Sequence, residues 1–424
     1  MSFKNFALHP SILKSIEHCG YTTATPIQAE AIPKALEGAD LIASANTGTG
    51  KTAAFVLPIL NSIANNSSKR RQAGQPSNLI LTPTRELATQ VSQAINKYGK
   101  KLRFTSISLL GGMPYGPQLK NLSRPVDIVV ATPGRLIDHI ERGRINLSNV
   151  QMLVLDEADR MLDMGFVTEV NKIADATAKD RQTLLFTATW DKRMAQLAQR
   201  LLNNPERIQV ETEITQENIE QRLHIADDPG HKTRLLHHIL DDENLKQAII
   251  FSSTKRGADD LAHSLRTEGY AAAALHGDMK QGARNRALTN MRRGKVRVLV
   301  ATDVAARGID ITGISHVINF DLPRFAEDYV HRIGRTGRAG AEGTAISFAL
   351  PDDMRHLERI ERYTGQSVPR YIIEGLEPTR KLQQKTRNKK RKFRGNGNNS
   401  GVARKKNYSN ASRKPSNQSH SRRR

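Results

Sequence analysis

The sequence contains a single cysteine and no long apolar run. Cys19 alone can form neither an internal disulfide nor a cysteine-based metal cluster. No stretch approaches the roughly 20 apolar residues that a membrane-spanning helix requires, and the N-terminal segment lacks the apolar core of a secretory signal. Disulfide scaffolds, zinc fingers and membrane proteins are therefore excluded, and we expect a soluble cytoplasmic protein.

Acidic residues are missing from the C-terminal end of the chain. Residues 378–424 contain 17 Lys and Arg but no Asp or Glu, which leaves about +6 of the formal net charge of +23 for the preceding 377 residues. The segment is rich in Asn, Ser and Gly and has too few aliphatic side chains to offset its ordering entropy, so we expect it to be disordered. Its basic clusters, with Phe393 and Tyr408 interleaved, favour binding to a polyanion, and a tail that only improves solubility is the alternative.

Short apolar runs alternate with amphipathic stretches before this tail. The runs are apolar throughout, as in strands that helices cover on both faces. Between them, segments such as 86–98 and 257–268 have the i, i+3, i+4 apolar spacing of helices. This alternation occurs twice, so the sequence predicts an α/β fold with two parallel-sheet domains. The predicted strands are 41–43, 79–81, 107–110, 128–130, 152–155, 183–186, 248–251, 272–275, 296–300, 316–319 and 344–348.

A polar, acidic stretch around residues 205–220 interrupts the alternation. We place the domain boundary there. The predicted organisation is an N-terminal segment 1–30, a first domain 31–207, a linker 208–218, a second domain 219–377 and the basic tail 378–424.

A glycine-rich loop follows the first predicted strand. Its glycines let the backbone wrap tightly, so that consecutive N–H groups and a helix N-terminus can cradle phosphates. Lys51 would reach the β- and γ-phosphates of a nucleotide, and the Thr52 hydroxyl would bind Mg²⁺. Ala45 replaces the first glycine of the usual pattern, and a chance turn rich in Gly and Thr is the alternative. The loop consists of Ala45, Asn46, Thr47, Gly48, Thr49, Gly50, Lys51 and Thr52.

Two adjacent carboxylates, Asp156 and Glu157, follow the predicted strand 152–155. They would lie at the carboxyl edge of the sheet, where ligands bind in open α/β folds. Asp156 is placed to hold Mg²⁺, and Glu157 to orient or deprotonate an attacking water. Acidic pairs are also common on solvated loops, but together with the phosphate-binding loop this pair predicts a nucleotide-hydrolysing site.

These motifs and their order resemble those of the DEAD-box RNA helicases over about the first 375 residues. The tetrapeptide 156–159 reads Asp-Glu-Ala-Asp, and residues 20–28 resemble the Q motif of that family. The resemblance implies two RecA-like domains, with Gln28 reading the adenine edge of ATP and Phe3 stacking on the ring. A terminal aromatic packed on the core is the alternative for Phe3. Among relatives, the core and its exit at 368–370 most resemble bacterial helicases of the RhlE/SrmB kind.

The resemblance also implies RNA-backbone contacts in both domains. Hydroxyls, helix N-termini and single arginines can hold phosphates without reading bases, although each motif of the first domain could equally be ordinary capping or turn chemistry. In the first domain the implied contacts are Pro83, Thr84, Arg85, Gly111, Gly112, Thr132, Pro133, Gly134 and Arg135. In the second domain they are Thr254, Gln281, Arg284, Thr302 and Asp303.

Three further implied roles connect the two binding sites. Thr187 and Thr189, with Asp159, would couple ATP to RNA, in a Thr-Ala-Thr segment where the family usually has Ser-Ala-Thr; a Thr-rich strand end is the alternative. The segment 306–310 would add nucleotide contacts through Gly308 and Asp310. Within the segment 331–338, Arg335 and Arg338 would act as arginine fingers when the domains close, worth on the order of 10³–10⁵ in rate, unless they belong to a solvated basic face.

The sequence therefore predicts an ATP-dependent RNA helicase that uses Mg²⁺ and contacts RNA with little sequence specificity. It would unwind short duplexes locally or remodel RNA–protein complexes, in ribosome assembly or RNA decay. A non-catalytic RNA clamp and a DNA translocase of the wider superfamily are the alternatives. Lys51, Glu157 and the arginines argue against the clamp, and the segment around Gln28 argues against the translocase.

We predict that deleting residues 379–424 weakens RNA binding and flattens its salt dependence. Each phosphate neutralised on a single strand contributes about −0.7 to the slope of log affinity against log salt concentration. A basic tail also acts as a tether that raises the local RNA concentration. The ATPase rate at saturating RNA should stay within a few-fold, because no catalytic candidate follows Arg338. RNA affinity measured at several salt concentrations for both proteins tests this, and superimposed lines would favour a solubility tail.

Overall fold

The computed structural model describes residues 1–45, 49–66, 72–210, 218–306, 311, 313–337 and 341–379. The predicted basic tail therefore lies outside the described residues from position 380 onward. Within the described ranges, no helix combines the length and the apolar content that crossing a membrane demands.

Two parallel β-sheets organise the described chain, which confirms the predicted α/β fold. The first sheet has the spatial strand order β3-β4-β2-β5-β6-β1-β7, and the second has the order β10-β11-β9-β12-β13-β8. We call each sheet with its helices the first and the second domain. The strands of the first domain are β1 (Leu41–Ser44), β2 (Asn78–Leu81), β3 (Ser106–Leu109), β4 (Ile128–Ala131), β5 (Met152–Leu155), β6 (Gln182–Thr187) and β7 (Glu206–Gln209). Those of the second are β8 (Ile219–Ile225), β9 (Ala248–Phe251), β10 (Ala272–Leu275), β11 (Val298–Ala301), β12 (His316–Asn319) and β13 (Gly343–Ala349).

Helices cover both faces of the sheets, so successive residues of one strand pack into apolar cores on opposite faces. In β5, for example, Val154 packs in one apolar cluster while Leu153 and Leu155 pack in the other. The helices of the first domain are α1 (Pro10–His18), α2 (Pro26–Leu36), α3 (Lys51–Asn65), α4 (Arg85–Tyr98), α5 (Tyr115–Leu122), α6 (Pro133–Glu141), α7 (Ala158–Asp163), α8 (Val167–Asp175) and α9 (Lys192–Leu201). Those of the second are α10 (Pro229–Leu240), α11 (Lys255–Thr267), α12 (Gln281–Arg292), α13 (Asp303–Ala306), α14 (Ala326–Ile333) and α15 (Met354–Thr364).

The apolar-run pattern does not predict β7 and β8. Each lies at the edge of its sheet, and only Ile208 is buried among the four residues of β7. An edge strand with a solvated face carries polar side chains and gives no continuous apolar run. The first two residues of the predicted linker, 208–209, therefore belong to the first sheet, and residues 211–217 lie outside the described chain.

The exit of the second domain covers the outer edge of β8. Leu223 N donates to the Pro369 carbonyl at 2.8 Å, and Tyr371 N donates to the Leu223 carbonyl at 2.8 Å. Leu223 and Arg370 form an isolated β-bridge of the parallel type. This pairing satisfies backbone groups that an open sheet edge would expose.

The parallel topology places the predicted motifs at one edge of each sheet. The glycine-rich loop follows β1, the acidic pair follows β5, and the segment 187–189 closes β6. Because parallel strands end on the same side, these loops meet at the carboxyl edge. The same rule places residues 252–254 and 302–303 together in the second domain.

Candidate active site

The glycine-rich loop connects β1 to α3 and holds Lys51 in a buried position. Lys51 is the first residue of α3, is 7% exposed, and donates from Nζ to the Ala45 carbonyl at 2.8 Å. Gly50 precedes it with a φ of 94°, a conformation that glycine adopts without strain. Thr49 and Thr52 belong to the described chain, whereas Asn46, Thr47 and Gly48 lie outside it.

Gln28 ties the N-terminal segment to this loop. Its Oε1 accepts from Thr25 N at 3.0 Å and its Nε2 donates to the Gly50 carbonyl at 3.0 Å. A Cβ atom at Gly50 would collide with that amide, so the close approach requires glycine. The predicted adenine contact is therefore held against the phosphate-binding loop by its own side chain.

Phe3 is buried in the core of the first domain. It is 5% exposed and meets Phe6 edge to face, with ring centroids 5.8 Å apart. This packing fits the alternative of a terminal aromatic on the core, and stacking on adenine stays a prediction.

Asp156 lies directly after β5 and is almost completely desolvated. Burial raises the pKa of its carboxyl to about 7, against the opposing effect of Lys51. The described residues contain no group of three His, Cys, Asp or Glu side chains arranged to hold a metal ion. Thr52 and Asp156 fit Mg²⁺ nevertheless, because this ion is commonly held by one or two protein ligands together with phosphates and water.

Glu157 adopts a left-handed backbone conformation. Its φ is 52° and it caps the N-terminus of α7. A non-glycine residue in such a conformation costs of order 1–3 kcal/mol, and this kind of strain is concentrated at functional sites.

Asp159 joins the acidic tetrapeptide to the end of β6. Its Oδ2 accepts from Ala188 N at 3.2 Å, from Thr189 N at 3.1 Å and from Thr189 Oγ1 at 3.1 Å. Thr187 Oγ1 in turn donates to the Thr189 carbonyl at 2.7 Å. The structure thus brings the three predicted coupling residues into one hydrogen-bonded unit.

A groove beside this unit gathers most of the predicted RNA contacts of the first domain. We call it the arginine groove. Gly112 lies against Arg85, since a Cβ atom there would collide with the Arg85 guanidinium. Pro133 is buried at the start of α6. Sequence reasoning did not identify Met164, Phe166 and Val304, since apolar side chains carry no phosphate-binding signal. The groove is lined by Pro83, Thr84, Arg85, Glu86, Gly111, Thr132, Gly134, Arg135, Asp138, Met164 and Phe166, with Arg284 and Val304 from the second domain.

Two threonines among the predicted RNA contacts cap the N-termini of helices. Thr84 Oγ1 accepts from Leu87 N at 3.3 Å at the start of α4, and it also lines the groove. Thr254 Oγ1 accepts from Gly257 N at 2.9 Å at the start of α11. Both threonines therefore cap helices, and for Thr84 the cap is compatible with a place in the groove.

Charged side chains join the two domains at the arginine groove. Arg85 Nη1 donates to Gln281 Oε1 at 2.8 Å, and Glu86 Oε1 accepts from Gln281 Nε2 at 3.0 Å. Glu86 also pairs with Arg284 Nη2 at 3.1 Å. Burial, opposed by Glu86 and reinforced by Arg284, holds the pKa of Arg85 below its ordinary value. Predicted RNA contacts of one domain thus lie against those of the other.

Asp303 lies away from the arginine groove. Its two carboxylate oxygens accept from Arg332 at 2.6 and 2.7 Å, and Arg332 is only 2% exposed. A buried guanidinium needs such a partner, so the structure gives Asp303 a structural contact where the sequence predicts an RNA contact. Thr302, 8% exposed, precedes it at the end of β11.

A second cavity is lined by Arg160 of the first domain and by residues of the second domain that include Asp328 and His331 of α14. We call it the ion-pair cavity. Arg160 Nη1 meets Asp328 Oδ1 at 2.7 Å across the domains, with side chains 5% and 9% exposed. Although burial opposes it, Asp328 raises the pKa of Arg160. Arg335 donates to the His331 carbonyl at 3.3 Å and lines the same cavity, whereas Arg338, Gly308 and Asp310 lie outside the described residues.

Sequence reasoning did not identify the Arg160–Asp328 pair. The available signal is position, since Arg160 follows the acidic tetrapeptide and Asp328 lies one turn before His331 on α14. The pairing itself depends on how the domains meet.

Comparison with known proteins agrees with this arrangement. A family model described as DEAD/DEAH box helicase matches residues 25–197, and one described as helicase conserved C-terminal domain matches residues 231–340. The DEAD-box ATP-dependent RNA helicase CshA of Bacillus cereus is 43% identical over 385 residues, which cover 91% of this chain and 72% of the relative. The ATP-dependent RNA helicase SrmB of Haemophilus influenzae is 44% identical over 381 residues, covering 89% and 86%.

Solved structures give the same result for the fold. Saccharomyces cerevisiae Dbp5 bound to RNA and ADP BeF3 aligns with a TM-score of 0.77 and 32% identity, covering 88% of this chain and 95% of that one. The DEAD-box helicase Mss116 bound to ssRNA and UDP-BeF aligns with a TM-score of 0.79 and 29% identity, covering 88% and 80%. The two parallel-sheet domains are RecA-like, and the chain belongs to the DEAD-box family of ATP-dependent RNA helicases.

Proposed function

We propose that this helicase hydrolyses ATP at a site completed by both domains and thereby unwinds short RNA duplexes or remodels RNA–protein complexes. The observation that carries the proposal is the buried Arg160–Asp328 pair. It joins the residue after the acidic tetrapeptide to the helix that leads to Arg335. This contact supports the proposal that water-activating and charge-stabilising groups from different domains belong to one site.

The first domain supplies the residues proposed to hold ATP. Lys51 counters the phosphate charge, and the backbone of the loop 45–50 surrounds the phosphates. Gln28 contacts the adenine. Phe3 stacks on the adenine if the phenyl ring turns out of the core. Mg²⁺ held by Thr52 and Asp156 would supply positive charge against the phosphate oxygens.

Glu157 and the arginines are proposed to act on the reaction itself. The Glu157 carboxylate orients or deprotonates the water that attacks the γ-phosphate. Arg335, with Arg338, stabilises the negative charge that develops in the transition state. Since these groups come from different domains, hydrolysis requires closure, and any ligand that bridges the domains favours it.

The arginine groove is the proposed RNA site. Arg85, Arg135 and Arg284 line it with hydroxyl and glycine backbone groups from the carboxyl edges of the sheets. Contacts of this kind fix the RNA backbone and carry little base information. We propose that the Asp159–Thr189 link transmits closure between this groove and the phosphate site.

For the biological role we propose ribosome assembly or RNA decay. The support is the resemblance of the core and its 368–370 exit to bacterial helicases of the RhlE/SrmB kind. Crosslinking the protein to RNA in cells and sequencing the bound fragments tests the proposal. We expect enrichment of ribosomal RNA precursors or of decaying transcripts over an equally abundant Lys51→Ala protein, and equal recovery of all RNA classes would contradict both roles.

Glu157→Gln should bind ATP almost normally but hydrolyse it more slowly by orders of magnitude. The substitution removes the water-activating carboxylate and no proposed metal ligand. The protein should therefore accumulate in a closed complex with RNA. Lys51→Ala, by contrast, should weaken nucleotide binding itself because it removes a phosphate counter-charge.

Nucleotide affinity and single-turnover hydrolysis, measured for both variants, separate these effects. Near-normal turnover in Glu157→Gln would contradict the assignment of Glu157 as the water-activating residue. Weak nucleotide binding in that variant would instead place Glu157 among the binding groups.

Asp328→Ala should abolish RNA-stimulated ATPase while each domain stays folded. Without the nearest carboxylate, the buried charge of Arg160 lacks an adequate partner. This destabilises the closed arrangement of the two domains by about 3–5 kcal/mol. Fluorescence energy transfer between labels on the two domains, with RNA and a non-hydrolysable ATP analogue, measures closure directly.

Asp175→Ala is the matched control for this prediction. It breaks the Arg200–Asp175 pair of the first domain, whose side chains are 53% and 64% exposed, and exposed pairs contribute only about 0–1 kcal/mol. Normal closure in Asp328→Ala would show that the buried pair is dispensable.

A further inference from the structure

Tyr115 lies behind the arginine groove at the start of α5. The chain turns at Gly112, where φ is 68°, and enters the helix at Tyr115. The Arg135 guanidinium lies over the Tyr115 ring, 4.3 Å from its centroid. Arg142, about two helical turns further along the chain, lies 5.2 Å from the same centroid. One aromatic ring thus contacts two guanidinium groups that project from one side of α6.

Arg135 has further anchors beside the ring. Its Nη1 donates to the Met113 carbonyl at 3.0 Å, and its Nε lies 3.9 Å from Asp138 Oδ2. The side chain is only 10% exposed, yet it lines the arginine groove. Burial lowers the pKa of Arg135, and the neighbouring Arg85 adds to the effect. A guanidinium in this position is favoured by a negative surface behind it, and an aromatic face provides one without neutralising the charge.

Neighbouring side chains hold the ring of Tyr115 in place. His139, fully buried, lies with its ring centroid 5.2 Å from that of Tyr115. Its Nε2 lies 3.3 Å from Gln118 Oε1, and Gln118 Nε2 donates to the Pro114 carbonyl at 3.2 Å. The Tyr115 hydroxyl is buried and has no hydrogen-bond partner among the residues that the structure describes. The aromatic face, and not the hydroxyl, is therefore what this residue contributes.

We propose that Tyr115 is a positioning residue for RNA binding, whose ring holds the Arg135 guanidinium toward the RNA phosphates. The inference rests on the proposed RNA contact of Arg135 and adds a residue outside the motifs that identify the family. A cation–π contact orders the long arginine side chain before RNA arrives, so less conformational entropy is lost on binding. Tyr115 touches neither ATP nor the reacting atoms, so its effect should appear in RNA affinity and not in the rate at saturation.

The test uses RNA-stimulated ATPase of the full chain with a single-stranded oligonucleotide of mixed sequence. Tyr115→Leu should raise the RNA concentration for half-maximal ATPase about three- to ten-fold, the loss expected for a partly buried cation–π contact. The maximal rate should be unchanged. Tyr115→Phe keeps the ring and should match the original protein. In Arg135→Ala, the additional change Tyr115→Leu should have little further effect, because the contact is already lost.

Two controls keep the test informative. Tyr371→Leu removes a ring that lies under Arg222, at 5.4 Å, in the second domain and away from the groove, so it should leave the half-maximal RNA concentration unchanged. If Tyr115→Leu folds poorly, 3,4,5-trifluorophenylalanine at position 115 preserves the ring shape but weakens its negative face, and it should raise that concentration relative to Tyr115→Phe.

The outcomes separate this inference from the proposed function. If Arg135→Ala weakens RNA binding while Tyr115→Leu and the fluorinated ring do not, the positioning role is wrong and the RNA role of Arg135 stands. If Tyr115→Phe is as weak as Tyr115→Leu, the hydroxyl is responsible and the inference is overturned. If Arg135→Ala binds RNA normally, the proposed contact fails and the inference fails with it.

Discussion

A charge removed from water needs a partner, and in this helicase several of those partners lie on the other domain. Arg160 in the first domain pairs with Asp328 in the second, and Glu86 pairs with Arg284. The desolvation cost of a buried ion pair offsets much of its Coulombic gain, so such a contact adds little net stability although loss of one partner is costly. An interface of this kind fixes how the two domains align but adds little net stability to their association. That combination is compatible with the proposed closure of the two domains around ATP and RNA.

The same constraint governs the phosphate site. Asp156 is buried close to Lys51, and burial raises the pKa of its carboxyl to about 7. A carboxylate in this environment is stabilised by additional positive charge, such as that of the Mg²⁺ proposed to bind here. Glu157 is held next to it in a left-handed conformation, so neighbouring carboxylates can take different roles. The local structure therefore places a desolvation cost at Asp156 and a backbone-strain cost at Glu157, next to the phosphate-binding loop.

How far the sequence predicts this structure depends on how local each feature is. Buried strands such as β5 are continuous apolar runs, and the phosphate loop and acidic tetrapeptide need particular residue types within a few positions. The edge strand β7 has one buried residue and gives no such signal. The Arg160–Asp328 contact spans 168 positions, and whether Asp303 faces RNA or Arg332 depends on a partner 29 positions away. Pairings of this kind follow from the meeting of elements, which residue types alone do not specify.

Glu86 lines the arginine groove, as Asp138 does, although a carboxylate repels the phosphates that are proposed to bind there. Its hydrogen bonds with Gln281 and its pairing with Arg284 account for its presence. If the groove binds RNA as proposed, phosphates that approach Arg284 compete with this carboxylate, so part of the electrostatic gain from binding is offset by exchanging one anion for another. Arg135 has a different environment, because an aromatic face supports its guanidinium without neutralising it. A carboxylate lies near Arg135 as well, since Asp138 Oδ2 is 3.9 Å from its Nε. Both arginines of the proposed RNA site are therefore partly compensated before RNA binds, Arg284 by a close pair and Arg135 by a more distant one, and this limits the electrostatic gain from binding.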